Sequence, residues 1–165
     1  MKLLKTYFLI LSIIAISISA KSQPTPNITD SRLDFTLPDM KGDSLRLSSM
    51  KGRVFLLDFW ASWCGPCRYS NKNLIKLYSK YKQNGFEILS VSLDDRKNEW
   101  MKAVNKDKIT WLQINDSGGW EAKSAAKWQV DAIPASFLIN KNGDVVAINA
   151  EKKDLENKIR ELLGL

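Results

Sequence analysis

The chain has 165 residues, 44% of them hydrophobic and 26% charged, with a formal net charge of +7. That length suits one domain and a short leader, and the composition is that of a soluble chain with a packed core. The lysines are scattered, as at Lys72, Lys76, Lys80 and Lys82, so the charge reads as a solvated face, and no dense basic run or binding motif supports the alternative of a nucleic-acid or acidic-lipid surface.

Residues 1–22 read as an export signal. Lys2 and Lys5 precede an apolar run from Tyr7 to Ile18, broken only by Ser12 and Ser17. Small residues around Ala20 and Ser22 then offer a cleavage site before Gln23. The run is shorter than the ~20 residues that cross a bilayer as a helix, so cleavage is expected, with an uncleaved membrane anchor as the alternative. Without this segment the chain holds 22 basic and 18 acidic residues, a net charge of +4. Residues 23–32, with Pro24 and Pro26, read as a linker, and residues 33–165 as the domain.

Within the domain, Phe35–Leu37 and Leu45–Leu47 alternate about Lys41-Gly42-Asp43 and predict a short hairpin. The unbroken run Val54–Phe59 predicts a buried central strand. A helix is expected from about Pro66 to Gln83, with Leu74, Leu77, Tyr78 and Tyr81 at helical spacing and Asn84-Gly85 as its stop. Phe86–Leu93 predicts a second buried strand, and strand–helix–strand favours a parallel pair. Further on, helices are expected at Lys97–Lys106 and Glu121–Trp128 and a short strand at Trp111–Ile114. A hairpin of Phe137–Ile139 and Val145–Ile148 turns at Asn140–Gly143. A final amphipathic helix spans Asp154–Leu163. The fold class is α/β, a mixed central sheet with helices on both faces.

Trp63-Cys64-Gly65-Pro66-Cys67 holds both cysteines of the chain, two residues apart, just after the first buried strand. Two thiols so placed open and close a disulfide reversibly, and a single pair in an exported chain points to redox work rather than to stapling. The expected helix start at Pro66 puts Cys64 beside unpaired N–H groups and the positive end of the helix dipole, which favour a thiolate. Pro66 fits the first helical turn because its missing N–H has no helical partner there. Asp58 interrupts the apolar strand. It reads either as an outward polar residue on a sheet edge or as a buried carboxyl of raised pKa that takes the proton from Cys67.

The run Leu57–Arg68 resembles the active-site segment of thioredoxin. Val130–Pro134 resembles its cis-proline segment, and Asn142-Gly143-Asp144 its last hairpin. The leader, the segments Asp34–Pro38 and Leu47–Gly52, and the extra stretch between Asp94 and Trp128 are similar to the exported TlpA/ResA branch. The resemblance covers about residues 33–163. It implies a thioredoxin fold with an N-terminal β-hairpin extension and a central insertion, and a thiol-disulfide oxidoreductase without a cofactor or metal.

The resemblance implies roles as well. Cys64 is the exposed attacking thiol and Cys67 the resolving one, together forming the redox disulfide. Asp58 is the proton acceptor. Trp63, Gly65, Pro66, Ile133 and Pro134 meet the substrate. Residues alone read Pro134 as a trans proline at a strand start; the resemblance makes the Ile133–Pro134 bond cis and lays the Ile133 backbone beside Cys64 for strand addition. Trp60 and Trp63 are candidates for an apolar docking surface, whereas Trp100, Trp111, Trp120 and Trp128 are expected in the core.

Three positions depart from the family pattern. Lys72 stands where thioredoxins usually carry a helix-kinking proline, so a straighter helix is expected. Ser70 stands where the TlpA/ResA branch often has glutamate. The strand Phe86–Leu93 has no lysine to partner Asp58.

Rival readings are weaker. Two cysteines without any histidine fill half of a tetrahedral zinc site. A peroxidase centres on one cysteine in another motif. A noncatalytic binding module would have no use for an intact Cys-Gly-Pro-Cys with Asp58. Between reductant, oxidant and isomerase, Gly-Pro between the cysteines resembles the reducing thioredoxins. The expectation is therefore a periplasmic reductase acting on exported disulfide proteins, with cytochrome c maturation as a client pathway and a membrane thiol electron donor. No dimerisation segment is visible, so a monomer is expected.

Overall fold

The computed structural model describes residues 25–165, and the expected leader lies outside them. No helix among the described residues is long and apolar enough to cross a membrane.

Among the described residues, seven strands and four α-helices follow one another. The hairpin β1 (Thr36–Pro38) and β2 (Ser44–Arg46) is a separate two-stranded sheet, and Leu47–Met50 continues it as a 3₁₀ turn. Next come β3 (Val54–Trp60), α1 (Gly65–Tyr81), β4 (Phe86–Ser92), α2 (Lys97–Asp107) and β5 (Leu112–Asn115). The chain ends with α3 (Lys123–Lys127), β6 (Ala135–Ile139), β7 (Val145–Ile148) and α4 (Lys152–Leu163). The main sheet has the order β5-β4-β3-β6-β7, with β3, β4 and β5 parallel and β6 and β7 antiparallel to their neighbours. This is the thioredoxin fold, with β3 at its centre.

The period-2 alternation of a strand divides β3 between two cores. Val54, Leu56 and Trp60 join α1, α2 and α4 through Leu74, Tyr81, Trp100, Val104, Leu155 and Ile159. Phe55, Leu57 and Phe59 join the other face, with Leu47, Met50, Ala125 and Trp128. Every β3 side chain is buried, which accounts for its continuous apolar run and makes the position of Asp58 exceptional. At Lys72 the helix continues without a break, since α1 runs seventeen residues.

Three expectations need correction. The helix expected over Glu121–Trp128 is a 3₁₀ turn at Gly119–Glu121 followed by the short α3. Ala122 stands between them with extended backbone (φ −56°, ψ 125°), and that break ends the first turn before the second begins. Leu47 leaves β2 for the 3₁₀ turn. Residues 26–32, read as linker, are packed on the domain. Asn27 bridges to Asp144, Ile28 N–H donates to Gly143 O at 2.9 Å, and the Ile28 side chain is fully buried. The Lys127 ammonium at the end of α3 donates to Ser31 O and Asp34 O, and the Trp128 indole N–H to Leu33 O, fastening the end of this segment and the residues just after it. The proline pattern that suggested a linker is satisfied by this strap, which runs from the Asn27 bridge into turns over residues 28–33, since Pro26 needs no N–H and its carbonyl accepts from Val145 N–H.

Candidate active site

Cys64 is the N-cap of α1, and Cys67 lies in its first turn. The two sulfurs are joined in a disulfide with Cα atoms 5.3 Å apart. Cys67 N–H donates to Cys64 Sγ at 3.1 Å. A helix start leaves such N–H groups without helical partners, and on reduction this one is in place to favour a thiolate on Cys64. Pro66 occupies the first turn without leaving a donor unpaired.

The Ile133–Pro134 peptide bond is cis, as the resemblance implied. The Ile133 carbonyl oxygen lies 3.8 Å from Cys64 Sγ. Cys64 Sγ, the start of α1 and the loop before β6 therefore converge, and the Ile133 backbone is beside the sulfur. Cys64 itself is less open than expected. It is 6% exposed against 1% for Cys67, and its sulfur is bonded to Cys67 and packed beside the Ile133 carbonyl. The order of exposure between the two is as expected; the degree is not.

A buried hydrogen-bond network fixes the loop ahead of Cys64. Asp94, at 1% exposure, accepts from Ser62 N–H at 2.8 Å, from the Ser62 hydroxyl and from the Ser92 hydroxyl. The Arg68 guanidinium donates to Ser62 O at 3.2 Å and forms a two-pronged pair with Asp107, one arm at 2.6 Å. Asn71 adds a third donor to Asp107. Arg68 is the single charged residue in the first turn of α1, and this pairing turns its charge toward α2.

Asp58 faces the α1 side of the sheet, 3% exposed. Burial pushes its carboxyl up to about 6, opposed by the hydrogen bond from Ser90. Ser90 Oγ donates to Asp58 Oδ2 at 3.0 Å and receives the Trp111 indole N–H at 2.8 Å. Asp58 lines a cavity of about 430 Å³, together with Leu56, Ser70, Leu74 and Pro134. The carboxyl is thus neither an edge residue nor sealed from its surroundings. Ser70, where the family pattern often has an acid, lines this same cavity.

Trp63 is 53% exposed beside Cys64, whereas Trp60 is 1% exposed. The expectation that Trp60 shares a docking surface is therefore corrected: strand alternation turns its indole inward, where its N–H donates to Gln113 Oε1 at 3.2 Å. Trp120 is corrected in the other direction. It is 56% exposed and its ring lies 5.8 Å from that of Trp63.

Sequence reasoning missed Ser90 and Trp111 around Asp58, and Arg68, Asp94 and Asp107 around Ser62. Serine on an apolar strand is a weak signal. The even spacing of Ser90 and Ser92 on a strand that pairs with the Asp58 strand is the one pattern that pointed there.

Comparison with known proteins follows the same lines. The Redoxin family model matches residues 21–163. The thiol-disulfide oxidoreductase ResA of Geobacillus kaustophilus is 33% identical over 132 residues, 78% of this chain and 74% of that protein. A thiol-disulfide oxidoreductase from Bacteroides fragilis superposes with a TM-score of 0.74 at 34% identity, over 78% of this chain and 96% of the other. The thioredoxin domain of a thiol-disulfide oxidoreductase from Bacteroides vulgatus does so with a TM-score of 0.72 at 32% identity, over 79% and 93%.

Proposed function

The chain belongs to the Redoxin family and is a thiol-disulfide oxidoreductase of ResA type with its pair at Cys64 and Cys67, and on that premise we propose that it works as a reductant of protein disulfides outside the cytoplasm. The observation that carries the direction is the pairing of Arg68 with Asp107. A strong oxidant stabilises its thiolate heavily, and that makes its reduced form the favoured one. Here the one cation of the first turn is already neutralised by a carboxylate, and Cys64 is left with helix-end N–H groups alone. Gly65 and Pro66 add neither charge nor donor beyond the backbone.

In the proposed cycle the Cys64 thiolate attacks one sulfur of a substrate disulfide. A bond forms between Cys64 Sγ and that sulfur, the substrate disulfide breaks, and the other substrate sulfur leaves as a thiolate and takes a proton. Asp58 then accepts the Cys67 proton, directly or through water in the cavity that it lines. The Cys67 thiolate attacks Cys64 Sγ, the mixed disulfide breaks, and the second substrate thiol departs. Two electrons have passed to the substrate, and the chain is left as the Cys64–Cys67 disulfide. A dithiol donor must reduce it again, and a membrane thiol donor fits an exported chain. The Ile133 backbone beside Cys64 supports an extended substrate held by strand pairing. The leader-like residues 1–22 support export, with or without a remaining tether. Apocytochrome c disulfides are one client class. The site is complete in one chain, in keeping with a monomer.

Reduced with dithiothreitol and desalted, the full chain should reduce a peptide disulfide stoichiometrically, and Cys64→Ser should abolish the transfer. A chain that keeps both thiols in the presence of excess substrate disulfide would refute the proposal.

A further inference from the structure

Two indoles that most folds would bury stand in the open beside Cys64. Trp60, Trp100, Trp111 and Trp128 are all 5% exposed or less, whereas Trp63 and Trp120 are more than half exposed. Their rings meet at 5.8 Å with planes tilted by 59°. They come from different parts of the chain. Trp63 precedes Cys64 in the loop after β3, and Trp120 lies on the 3₁₀ turn between β5 and α3. Their contact is tertiary, produced by the fold rather than by sequence adjacency.

Trp120 is held outward by its own turn. Gly118 N–H donates to Asp95 Oδ1 at 3.0 Å. Gly118 and Gly119 carry φ of +132° and +56°, a backbone that side-chain-bearing residues rarely adopt. On the far side of the turn, Glu121 N–H and Ala122 N–H close back on Gly118 O and Gly119 O, and Ala122 is buried in the second core. Both ends of the turn are thereby fixed, and the indole between them stands exposed.

We propose that Trp63 and Trp120 form a side-chain docking surface for a polypeptide substrate whose attacked cysteine is flanked by an aromatic or large aliphatic residue. This deepens the reductant reading and rests on it. The surface is continuous with the exchange site, because Trp63 is bonded to Cys64 and Cys64 Sγ lies 3.8 Å from the Ile133 carbonyl. Backbone pairing at Ile133 accepts any extended segment, so it selects little. The indole pair adds a preference for apolar side chains, with the large contact area and low entropy cost that make tryptophan common at binding hot spots. An exposed aromatic pair without a partner is otherwise an association hazard. Trp120 is thus a specificity residue contributed by the stretch between β4 and β6.

The test uses the full chain, reduced with dithiothreitol, and two cyclic peptides with one disulfide each, alike except for leucine and tryptophan or serine beside the cysteines. Bis(2-hydroxyethyl) disulfide serves as a substrate without side chains. The wild type should favour the apolar peptide in kcat/KM by about ten-fold. Trp120→Ala should bring that ratio to within about two-fold of one, and Trp120→Phe should keep most of it. Far-ultraviolet circular dichroism and thermal melting establish that each variant is folded. Equal preference in wild type and Trp120→Ala, or no preference in the wild type, would overturn the docking surface while leaving the reductant reading intact. Failure of the reduced wild type to act on bis(2-hydroxyethyl) disulfide would overturn both.

Discussion

Ser90 Oγ donates to Asp58 Oδ2 at 3.0 Å, between the parallel strands β4 and β3. The hydroxyl has one hydrogen, and the Trp111 indole N–H approaches the same oxygen at 2.8 Å as a donor. The serine hydrogen is therefore directed at the carboxylate. On β4, which carries no lysine to partner Asp58, this neutral donor is the partner instead. It compensates the buried charge only in part, and so Asp58 rises to about 6 despite it.

Stability should depend on pH through Asp58. The folded chain holds this carboxyl protonated up to about pH 6, and the unfolded chain only up to about pH 4. The folded state's advantage is complete below the unfolded value and is lost as pH rises through 6. Asp58→Asn removes the ionisation. It should be more stable than wild type at pH 8 by on the order of 2–3 kcal/mol, with no difference at pH 4, as read by urea unfolding. Equal stability at both pH values would show that the carboxyl is solvated.

The same group should time the second half of the exchange. Release of substrate from the Cys64 mixed disulfide should speed up as pH rises through about 6, where Asp58 ionises. Ser90→Ala removes the hydrogen bond that favours the charged form and should move this rise to higher pH. Asp58→Asn should flatten it and slow release by roughly 10²-fold, the usual reach of a general base. Quench-flow capture of the mixed disulfide measures the step.

Freeing Arg68 should make the pair more oxidising. Asp107→Asn leaves the guanidinium hydrogen bond to Ser62 O and removes the carboxylate that neutralises it. A larger net positive charge near the start of α1 should raise the thiolate fraction of Cys64 at neutral pH, by less than about ten-fold given partial exposure. Alkylation rates with iodoacetamide against pH report it. An unchanged profile would mean that the Arg68 charge does not reach the sulfur.

The strap at residues 26–32 should be part of the folding unit. Gly143 has φ +93°, and a Cβ there would lie 2.9 Å from Ile28 Cγ1 and 3.0 Å from Asn27 Oδ1. Gly143→Ala should cost more than about 1 kcal/mol through backbone and contact together. Ile28→Ala should cost about 2–4 kcal/mol through the cavity that it leaves. Loss of neither in urea unfolding would return the segment to the status of a linker.

What the sequence made legible is what local chemistry dictates. Cys64-Gly65-Pro66-Cys67 named its own helix start, and Val54–Trp60 was too apolar to be anything but a central strand. Ile28 was hidden because Pro24 and Pro26 mask a buried residue among linker-like neighbours. Trp60 and Trp120 were misread in opposite directions because tryptophan count and spacing carry no information on which face a turn presents. That face is set by strand register for Trp60 and by Gly118-Gly119 geometry for Trp120. Ser90 and Arg68 gain their roles from partners 32 and 39 residues away, a distance over which sequence patterns are silent.

The reduction potential of the Cys64–Cys67 pair, equilibrated in dithiothreitol or glutathione buffers, tests the central claim most directly. A reductant should fall near the ~−270 mV of thioredoxin. A value near the ~−120 mV of a strong disulfide oxidant would contradict it, since the paired Arg68 and the bare helix start would then not limit thiolate stabilisation at Cys64.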